Sequence, residues 1–578
     1  MNQFTQTIIR SIAGLLFTAP FLLAQLTPAQ REQDFRSMAA QYAKSYAPYE
    51  WKRQLVGFDL YNIKPWLARV AAVKNDLDFY EIMVEYVASL QDTHDSFILP
   101  SDFVASLGFG VDIYDGKAVI DSINRTTLPL AKYPFVIADE LVSVDGNPVE
   151  ELLTAFAKYG TQGNPRSTRR LTAARIVTRP QSRMPHAVDV GESAQVVIRR
   201  QNGNLETYTI PWNKTGTPLV AGPVPSPSSS TALTSKKPPT AGLTDEPENP
   251  LLAEFEKVNQ EIQWGGVDND TGLLNYGSRT PIFALPTGFQ QRLGRVTSDF
   301  FNSGTYQAQG RTIGYIRIPN YAPPSTPLAT TQLQTELAFF QANTDALIVD
   351  QMRNNGGSLC FGETVATNLI PYRFQATAFL IRPNWARVST FYNQWQAAKT
   401  LGLEQWVIDT YQILYQQVAS AYRENRGLSG ATSLCSSTIE REPARDRNGA
   451  IIAYTKPILM LIDEFSTSTA DSVPAMFQEA KRGTLFGYRT NGAGGLNTTY
   501  EAGKYGEGLA GMTLALQVRA TPVSVPGYPT TNIIENVGVH PDVVEDYMTK
   551  NNLLNQGKPF VDAMTVAVLK MIPAAPKD

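Results

Sequence analysis

The sequence is poor in cysteine and histidine. Its 578 residues include two cysteines, Cys360 and Cys435, and three histidines, His94, His186 and His540. Two cysteines allow at most one disulfide, and their spacing is not that of a metal-ligand pair. Three histidines leave few candidates for a general base of ordinary pKa. The sequence therefore implies no metal and no organic cofactor.

An excess of charge of either sign is also missing. Fifty Lys and Arg residues stand against 53 Asp and Glu, which gives a net charge of −3, and no basic block occurs. Such a balance provides no electrostatic footprint for nucleic acid or for anionic membranes, and we expect neither as a partner. The length exceeds that of a single hydrophobic core and suggests roughly three or four domains.

Long apolar runs are absent after the N-terminus. Residues 1–24 combine Arg10, an apolar run and the small residue Ala24, which is a signal-peptide pattern. The alternatives are a membrane anchor or a buried helix, but the run is short for a membrane span and Pro20 interrupts it. We expect cleavage after Ala24, a periplasmic or extracellular location, and no stable membrane insertion of the mature protein.

The next two regions differ in periodicity. Residues 25–101 show helical, amphipathic spacing that starts at Thr27 and Pro28. Residues 102–213 contain five short β runs and one helical stretch, which predicts a small β-rich module. The segment ADELVSVDGNPVEELL resembles the strand, turn and helix of a PDZ domain, which binds an extended peptide at a sheet edge. A β domain without a ligand is the alternative.

A linker and a larger domain follow. Residues 214–250 are rich in Pro, Ser and Thr, which is typical of a flexible linker. Residues 251–578 form the last domain, and from Thr312 their strand and helix patterns alternate, which predicts a largely parallel sheet. A helical insertion at about 370–450 has apolar stripes that indicate packing, or alternatively a lid.

One stretch of this domain carries a candidate nucleophile. Residues 458–480 have the pattern of a buried strand, a hydroxyl-rich turn and a helix, with Ser468 in the turn. A helix N-terminus favours negative charge and suits a nucleophile beside an oxyanion. The spacing of Ser468 and Asp471 equally fits a capping box, which needs no chemistry. Pro474 favours a helix that begins nearer Ser472, because proline belongs in the first turn.

Three motifs resemble those of the C-terminal-processing (tail-specific) peptidase superfamily. DQMRNNGG, at residues 350–357, is similar to its D-x-R-x-N-x-G-G strand end. FSTSTAD, at 465–471, is similar to its nucleophile turn, and ENVGVHPD, at 535–542, to its E-x-x-G-V-x-P-D segment. The resemblance implies an α/β fold with a ClpP/crotonase-like peptidase core, a PDZ-like module and an N-terminal helical region.

The resemblance also assigns roles to residues. Ser468 takes the position of the nucleophile, but Ala493 stands where the Ser-Lys branch has its lysine. The chain is therefore similar to the tricorn and CPAF-like branches, in which an upstream histidine is the base and a glutamate supports it. His94 and Glu535 match those positions. For His94 the alternative is a histidine at a helix C-terminus, and a relocated dyad of Ser468 with Lys504 is an alternative base.

Together these residues suit acyl transfer. A serine hydroxyl needs a base that takes its proton and returns it to the leaving amine, and an imidazole does both. By resemblance, backbone N–H groups of Gly356, Gly357 and Thr469 form the oxyanion hole. We expect an exported serine endopeptidase or C-terminal-processing peptidase acting on proteins or peptides, which the PDZ-like groove would bind. The alternative is an inactive peptide- or ligand-binding protein on the same scaffold.

Overall fold

The computed structural model describes residues 25–219 and 274–573. The predicted signal peptide and most of the predicted linker lie outside these ranges, and the domain boundaries at 101, 213 and 250 stay predictions. The order of elements, with helices and strands in both described ranges, confirms the predicted α/β class. No helix within the two ranges is long and apolar enough to cross a membrane.

Four helices open the chain and pack around one aromatic core. They are α1 (Pro28–Ser45), α2 (Tyr49–Val56), α3 (Lys64–Ala72) and α4 (Asp76–Ala88). Thr27 accepts a hydrogen bond from the Gln30 N–H, and Gln30 in turn accepts from the Thr27 N–H, so α1 begins with a capping box. Phe35, Tyr42 and Tyr86 are fully buried in a core that these helices share with residues of the last domain, including Met512 and Leu514.

The β-rich module follows. Its elements are β1 (Phe97–Ile98), β2 (Val104–Ser106), β3 (Phe109–Tyr114), β4 (Lys117–Ile123), β5 (Glu140–Val144), β6 (Asn147–Pro148), α5 (Val149–Ala155), α6 (Pro165–Val177), β7 (Thr178–Pro180), β8 (Ser193–Arg199), β9 (Leu205–Pro211) and β10 (Asn213–Thr215). A six-stranded sheet has the order β3-β4-β5-β8-β9 with β6 beside β5, and a three-stranded sheet the order β10-β2-β7. Strand β1 pairs with a strand of the last domain instead.

The last domain is built on a seven-stranded sheet. Its elements up to the middle of the chain are β11 (Gln290–Leu293), β12 (Asn302–Ala308), β13 (Arg311–Arg317), α7 (Thr326–Asn343), β14 (Ala346–Asp350), α8 (Leu359–Leu369), β15 (Phe374–Gln375), β16 (Ala378–Ile381), α9 (Trp385–Thr400), α10 (Gln405–Arg423) and β17 (Glu440–Arg441). The rest are β18 (Ile458–Ile462), α11 (Thr469–Glu479), β19 (Thr484–Gly487), β20 (Gly495–Glu501), β21 (Leu509–Val523), β22 (Thr531–Ile533), β23 (Val543–Val544), α12 (Lys550–Leu554) and α13 (Lys558–Met571).

The sheet order places the nucleophile strand at the centre. The order is β11-β12-β13-β14-β18-β19-β23, and the pairs from β13 to β23 are parallel, whereas β11, β12 and β13 pair antiparallel. All residues of β14 and β18 are buried, as expected for parallel strands covered on both faces. The carboxyl ends of β14 and β18 therefore bring residues 351–357 and 463–468 side by side.

A second sheet connects the N-terminal helices to this domain. The 15-residue strand β21 pairs with β1, β16, β20 and β22. The Gly511 N–H donates to the Ser96 carbonyl, and a Cβ at Gly511 would lie 2.3 Å from the His94 carbonyl oxygen. Only glycine allows this approach, which fixes the loop that carries His94 against β21.

The predicted helical insertion contains helices α9 and α10, and also the short strands β15, β16 and β17. Cys435, which follows α10, forms a disulfide with Cys360 at the start of α8. The single disulfide that the sequence allows thus ties the insertion to the helix that follows Gly356 and Gly357 in the chain.

Candidate active site

Ser468 lies in a strained turn between β18 and α11. Its backbone has φ 61° and ψ −113°, a region that non-glycine residues rarely adopt. The Ser468 N–H donates to Asp471 Oδ2 at 2.8 Å, and the Thr467 N–H donates to the Asn354 carbonyl at 2.9 Å. These bonds hold the turn at the ends of β14 and β18. The capping contact from Asp471 and a role for Ser468 as nucleophile are therefore compatible.

Asp471 also organises the loop that holds Ala493. Its carboxylate accepts from the Thr490 hydroxyl, from the Gly492 N–H at 2.8 Å and from the Ala493 N–H at 3.0 Å. Burial raises the pKa of Asp471 to about 6, although these hydrogen bonds lower it. The loop that holds Ala493, where the family has its lysine, therefore binds the same carboxylate that holds the Ser468 N–H.

The expectation that the helix begins near Ser472 is wrong. Helix α11 begins at Thr469 and contains Pro474 in its interior. Proline cannot donate to the carbonyl four residues before it, which is that of Ala470. The Gln351 side-chain amide donates to this carbonyl at 2.9 Å. A side chain from the neighbouring strand end thereby replaces the missing helical bond, so the helix N-terminus stays next to Ser468.

Gly356 and Gly357 pass directly beside Ser468. Gly356 has φ +85°, and a Cβ there would lie 2.7 Å from the Ser468 Cβ. The Gly356 N–H donates to the Asn354 side chain at 2.9 Å, while the Gly357 carbonyl accepts from the Thr469 hydroxyl at 2.7 Å. Thr469 is the first residue of α11, where N–H groups have no intrahelical acceptor. The three predicted oxyanion residues thus surround Ser468, and their roles stay predictions.

His94 lies across a cavity from this turn. Ser468 and His94 both line a cavity of about 100 Å³. The backbone N–H of His94 donates to Asp92 Oδ1 at 3.0 Å. The ring Nδ1 is buried and has no hydrogen-bond partner among the described residues. Burial lowers the pKa of His94, Asp92 raises it and Lys52 lowers it. The neutral imidazole, the form that can accept a proton, is therefore favoured.

Thr93 fixes the loop of His94 in place. Its hydroxyl donates to the Asn491 side chain and accepts from the Gly163 N–H at 2.7 Å. Asn491 also donates to the Glu464 carbonyl at 3.1 Å. The hydroxyl beside the candidate base thus links the N-terminal region, the β-rich module and the nucleophile turn.

Glu535 is completely buried and has partners other than His94. Its Oε1 accepts from Lys52 Nζ at 2.5 Å and its Oε2 from the Gly494 N–H at 2.9 Å. Burial and the neighbouring Asp92 raise the pKa of Glu535 to about 8, although Lys52 and the Gly494 N–H lower it. No hydrogen bond between Glu535 and His94 occurs in the described part of the chain, so the supporting role of this carboxylate stays a prediction.

Helix α6 of the β-rich module also contacts the nucleophile turn. Arg170 forms two hydrogen bonds with Asp112, at 2.9 and 2.6 Å, and a third with Glu464 at 2.8 Å. Arg166 donates to the same Glu464 oxygen at 2.7 Å. Since Glu464 follows β18 directly, the module is fixed by buried ion pairs to the segment that ends in Ser468.

Lys504 is not part of the arrangement around Ser468. It is exposed, its backbone N–H donates to Asp34 at 2.8 Å, and it lines neither cavity beside Ser468. The second cavity, of about 30 Å³, lies next to Thr469 and is lined by Leu434, Phe379 and the disulfide residue Cys360. Ser468 therefore lies between two cavities, and His94 lines the larger of these two.

Sequence reasoning missed Lys52, Asp92 and Asn491. Lys52 falls in an amphipathic helix, where a lysine usually faces solvent, and Asn491 lies in the loop that contains Ala493. No local pattern marks these residues. Within the described ranges, no group of three or more His, Cys, Asp or Glu residues could hold a metal ion.

Comparison with known proteins decides the family. Residues 312–545 match peptidase family S41, and residues 104–218 match a PDZ domain. The chain thus contains a serine-type peptidase domain of family S41 and a PDZ domain. The predicted family is thereby confirmed.

The peptidase has chlamydial relatives along nearly its whole length. It is 24% identical to a protein of Chlamydia pneumoniae, over 96% of this chain and 93% of the relative. It is 21% identical to a protein of Chlamydia trachomatis serovar D, over 91% of this chain and 90% of the relative.

Two solved structures share its fold. Mature CPAF superposes with a TM-score of 0.73 at 19% identity, covering 94% of this chain and 98% of that chain. Mature CPAF complexed with lactacystin gives 0.72 at 20% identity, covering 94% and 99%. The likeness extends over the N-terminal helices, the PDZ domain and the core.

Proposed function

We propose that the peptidase hydrolyses peptide bonds through an acyl-enzyme at Ser468, with His94 as general base. The observation that carries the proposal is that the strained Ser468 and His94, whose pKa is lowered by burial of its ring, line one cavity in a chain with a family S41 peptidase domain. Ser468 Oγ attacks the peptide carbonyl carbon while its proton passes to the imidazole. His94 then gives that proton to the leaving amine, and water, deprotonated by His94, hydrolyses the ester.

The developing oxyanion would be bound by the Thr469 N–H and by backbone N–H groups of the Gly356 and Gly357 loop, where the Gly356 N–H would have to leave the Asn354 side chain first. The close passage of Gly356 beside Ser468 and the position of Thr469 at the start of α11 support this role. Each such donor contributes about 3 kcal/mol to transition-state stabilisation. Glu535 would support the site electrostatically, from its buried position beside Lys52.

Protein or peptide substrates would approach through the PDZ domain. PDZ domains bind extended peptides at a sheet edge, and the buried pairs of Arg170 with Asp112 and Glu464 connect this domain to the nucleophile turn. Cleavage of internal bonds and trimming of C-terminal tails both fit such an arrangement.

We also propose that the peptidase is exported after loss of residues 1–24. The disulfide between Cys360 and Cys435 supports an oxidising compartment, because disulfides rarely persist in the cytosol. Edman sequencing of the protein from periplasm or culture medium tests this, and an N-terminus at Gln25 is expected. Retention of the full-length chain in the cytosol with both thiols free would contradict export.

Labelling with a fluorophosphonate probe tests the catalytic proposal. We expect the wild type to be labelled, and both Ser468→Ala and His94→Ala to lose labelling. His186→Ala is the matched histidine control, since His186 pairs with Asp189 and lines neither cavity. If His94→Ala is labelled as strongly as the wild type and Lys504→Ala is not labelled, the base is Lys504 in a Ser-Lys dyad.

An inactive binding protein on the same scaffold is the second candidate. The Nδ1 of His94, which has no hydrogen-bond partner among residues 25–219 and 274–573, and the engagement of Glu535 by Lys52 favour it. If mature wild type hydrolyses no peptide and resists the probe, while isothermal titration shows that it binds peptides, this candidate replaces the catalytic one.

A further inference from the structure

Lys52 is a buried lysine whose hydrogen bonds all go to the surroundings of the site. Its side chain is 1% exposed. The ammonium donates to the Gln91 carbonyl at 2.8 Å, to Glu535 Oε1 at 2.5 Å and to Asn536 Oδ1 at 2.7 Å. An ammonium has three N–H groups, so these three acceptors match its full donor capacity.

The acceptors belong to two segments, one of which leads to the candidate base His94 while the other carries the supporting carboxylate Glu535. Gln91 lies three residues before His94, and Asn536 follows Glu535. The Asn536 side chain itself donates to the Gln91 carbonyl at 2.8 Å. Lys52 therefore connects the start of the His94 loop to the Glu535 segment, although α2 is distant from both in sequence.

Helix α2 contributes a second contact to the same segment. The indole Nε1 of Trp51 donates to the Glu535 carbonyl at 3.0 Å. Adjacent side chains of one helix thus contact both the backbone and the carboxylate of Glu535. This double contact fixes the rotation and position of α2 relative to Glu535.

Charge explains why a lysine is needed. A buried carboxylate without a counter-ion takes up a proton, because its charged form loses solvation. Glu535 Oε2 is covered by the Gly494 N–H, so Lys52 is the cation that balances this carboxylate. Other charged or titratable groups around Lys52 and His94 include Asp92, Asp95, Tyr46, Lys158, Tyr159, Arg183 and Tyr276.

We propose that Lys52 is a positioning residue of the active centre, which holds the Glu535 side chain in place and sets the charge and placement of the His94 loop. The inference rests on the proposed roles of Ser468 and His94. Lys52 does not line the cavity beside Ser468, so it acts through Glu535 and the loop and does not touch substrate.

Loss of the ammonium has a defined electrostatic sign. Lys52 lowers the pKa of His94 and that of Glu535. Without it both pKa values rise, so His94 becomes protonated, and inactive as a base, at a higher pH than in the wild type. The acid limb of the pH profile of activity therefore moves to higher pH.

The test is the rate of fluorophosphonate labelling of the full mature chain between pH 5 and 9. In Lys52→Met we expect the acid limb to move up by about 1 pH unit, which is about a tenfold lower rate on that limb. Lys52→Arg keeps the charge and should return the limb most of the way to its wild-type position. An acid limb unchanged in Lys52→Met overturns the proposal.

Two further variants separate this role from stability. Arg31→Met removes another buried cation of the N-terminal helices, since Arg31 pairs with Asp76 at 3.0 Å with both 4% exposed. It should lower the melting temperature without moving the limb. If Lys52→Met fails to fold, Lys52→Met with Glu535→Gln leaves no unpaired buried charge, and the limb should still lie above that of the wild type.

The result is distinguishable from failure of the proposed function. If Ser468→Ala and His94→Ala keep labelling, the catalytic assignment fails whatever Lys52 does. If both lose labelling while Lys52→Met, or the double variant, keeps the wild-type limb and rate, only the assignment of Lys52 fails.

Discussion

The two halves of the candidate site differ in how completely their polar groups are satisfied. Around Ser468, the buried Asp471 accepts hydrogen bonds from two backbone N–H groups of the 490–493 loop, from the Thr490 hydroxyl and from Ser468 itself. Around His94, the ring Nδ1 and Asp95 Oδ2 are buried with no hydrogen-bond partner within the described ranges. The turn around Asp471 is fixed by hydrogen bonds, whereas unpaired polar atoms remain around the base and, at Arg353 Nε and Asn355 Oδ1, in the loop before Gly356.

This difference indicates that the region around His94 is less stable than it could be because it is arranged for catalysis. Unpaired buried polar groups cost free energy and persist mainly at functional sites. The turn at Ser468 is also strained, but its strain is offset by hydrogen bonds. We therefore expect substitutions in the nucleophile half to affect folding and activity together, and those in the base half to affect activity with little loss of stability.

The largest expected effect is that of His94→Ala on catalysis. Loss of the base should lower kcat/KM for a peptide substrate by about 10⁴-fold or more. The melting temperature should stay near that of the wild type, because the Nδ1 of His94 makes no hydrogen bond that the change could remove. Peptide hydrolysis and differential scanning calorimetry measure the two quantities. Strong destabilisation with retained hydrolysis would reverse the comparison.

Asp471→Ala should give the largest loss of stability. It leaves the N–H groups of Ser468, Gly492 and Ala493 without their acceptor, and the free energy of unfolding should fall by about 3 kcal/mol or more. Labelling of Ser468 should fall with it. Asp562→Ala on α13, whose exposed carboxylate pairs with Lys558, is the control and should change neither. If urea denaturation gives Asp471→Ala the same free energy of unfolding as the wild type, Asp471 does not stabilise the nucleophile turn.

Gly356→Ala should come next, with a loss of activity of about 100-fold. Its Cβ would meet the Ser468 Cβ and the Thr467 carbonyl, both at 2.7 Å, and so displace the nucleophile or the loop. Gly203→Ala is a matched control, because Gly203 has a similar φ of +90° and nothing within 4 Å of an added Cβ. Both variants carry backbone strain, but only Gly356→Ala should lose activity. Equal hydrolysis by the two would exclude a site role for Gly356.

The last prediction concerns Asp95 and the pH dependence of stability, not activity. Burial raises the pKa of Asp95 well above its ordinary value near 4. The folded state therefore holds this proton where the unfolded state has lost it, and the wild type loses stability as pH rises above about 4. Asp95→Asn cannot titrate, so its stability relative to the wild type should increase by up to about 1.4 kcal/mol per pH unit. Denaturation between pH 4 and 8 measures this, and a constant difference would refute it.

The sequence predicted the family and the nucleophile turn because their signals are local. A buried strand, the small residues at 466–469 and the glycine pair at 356–357 lie in short contiguous motifs, and parallel strands bring their ends together by rule. The prediction for the start of α11 was wrong because Pro474 leaves the Ala470 carbonyl without a helical donor, and the Gln351 side chain, from the end of another strand, donates to it. The role of Lys52 had no local signal, since an amphipathic helix does not show which lysine becomes buried.

The sequence by itself determined the α/β class, the S41 family and the position of Ser468 between strand and helix, because periodicity and motif spacing act over a few residues at a time. Only the tertiary structure decided that Ser468 and His94 share a cavity and that Glu535 is bound to Lys52. The physical reason is that burial and ion pairing depend on how helices, sheets and loops from distant parts of the chain pack together. The charges around the base were therefore set by packing.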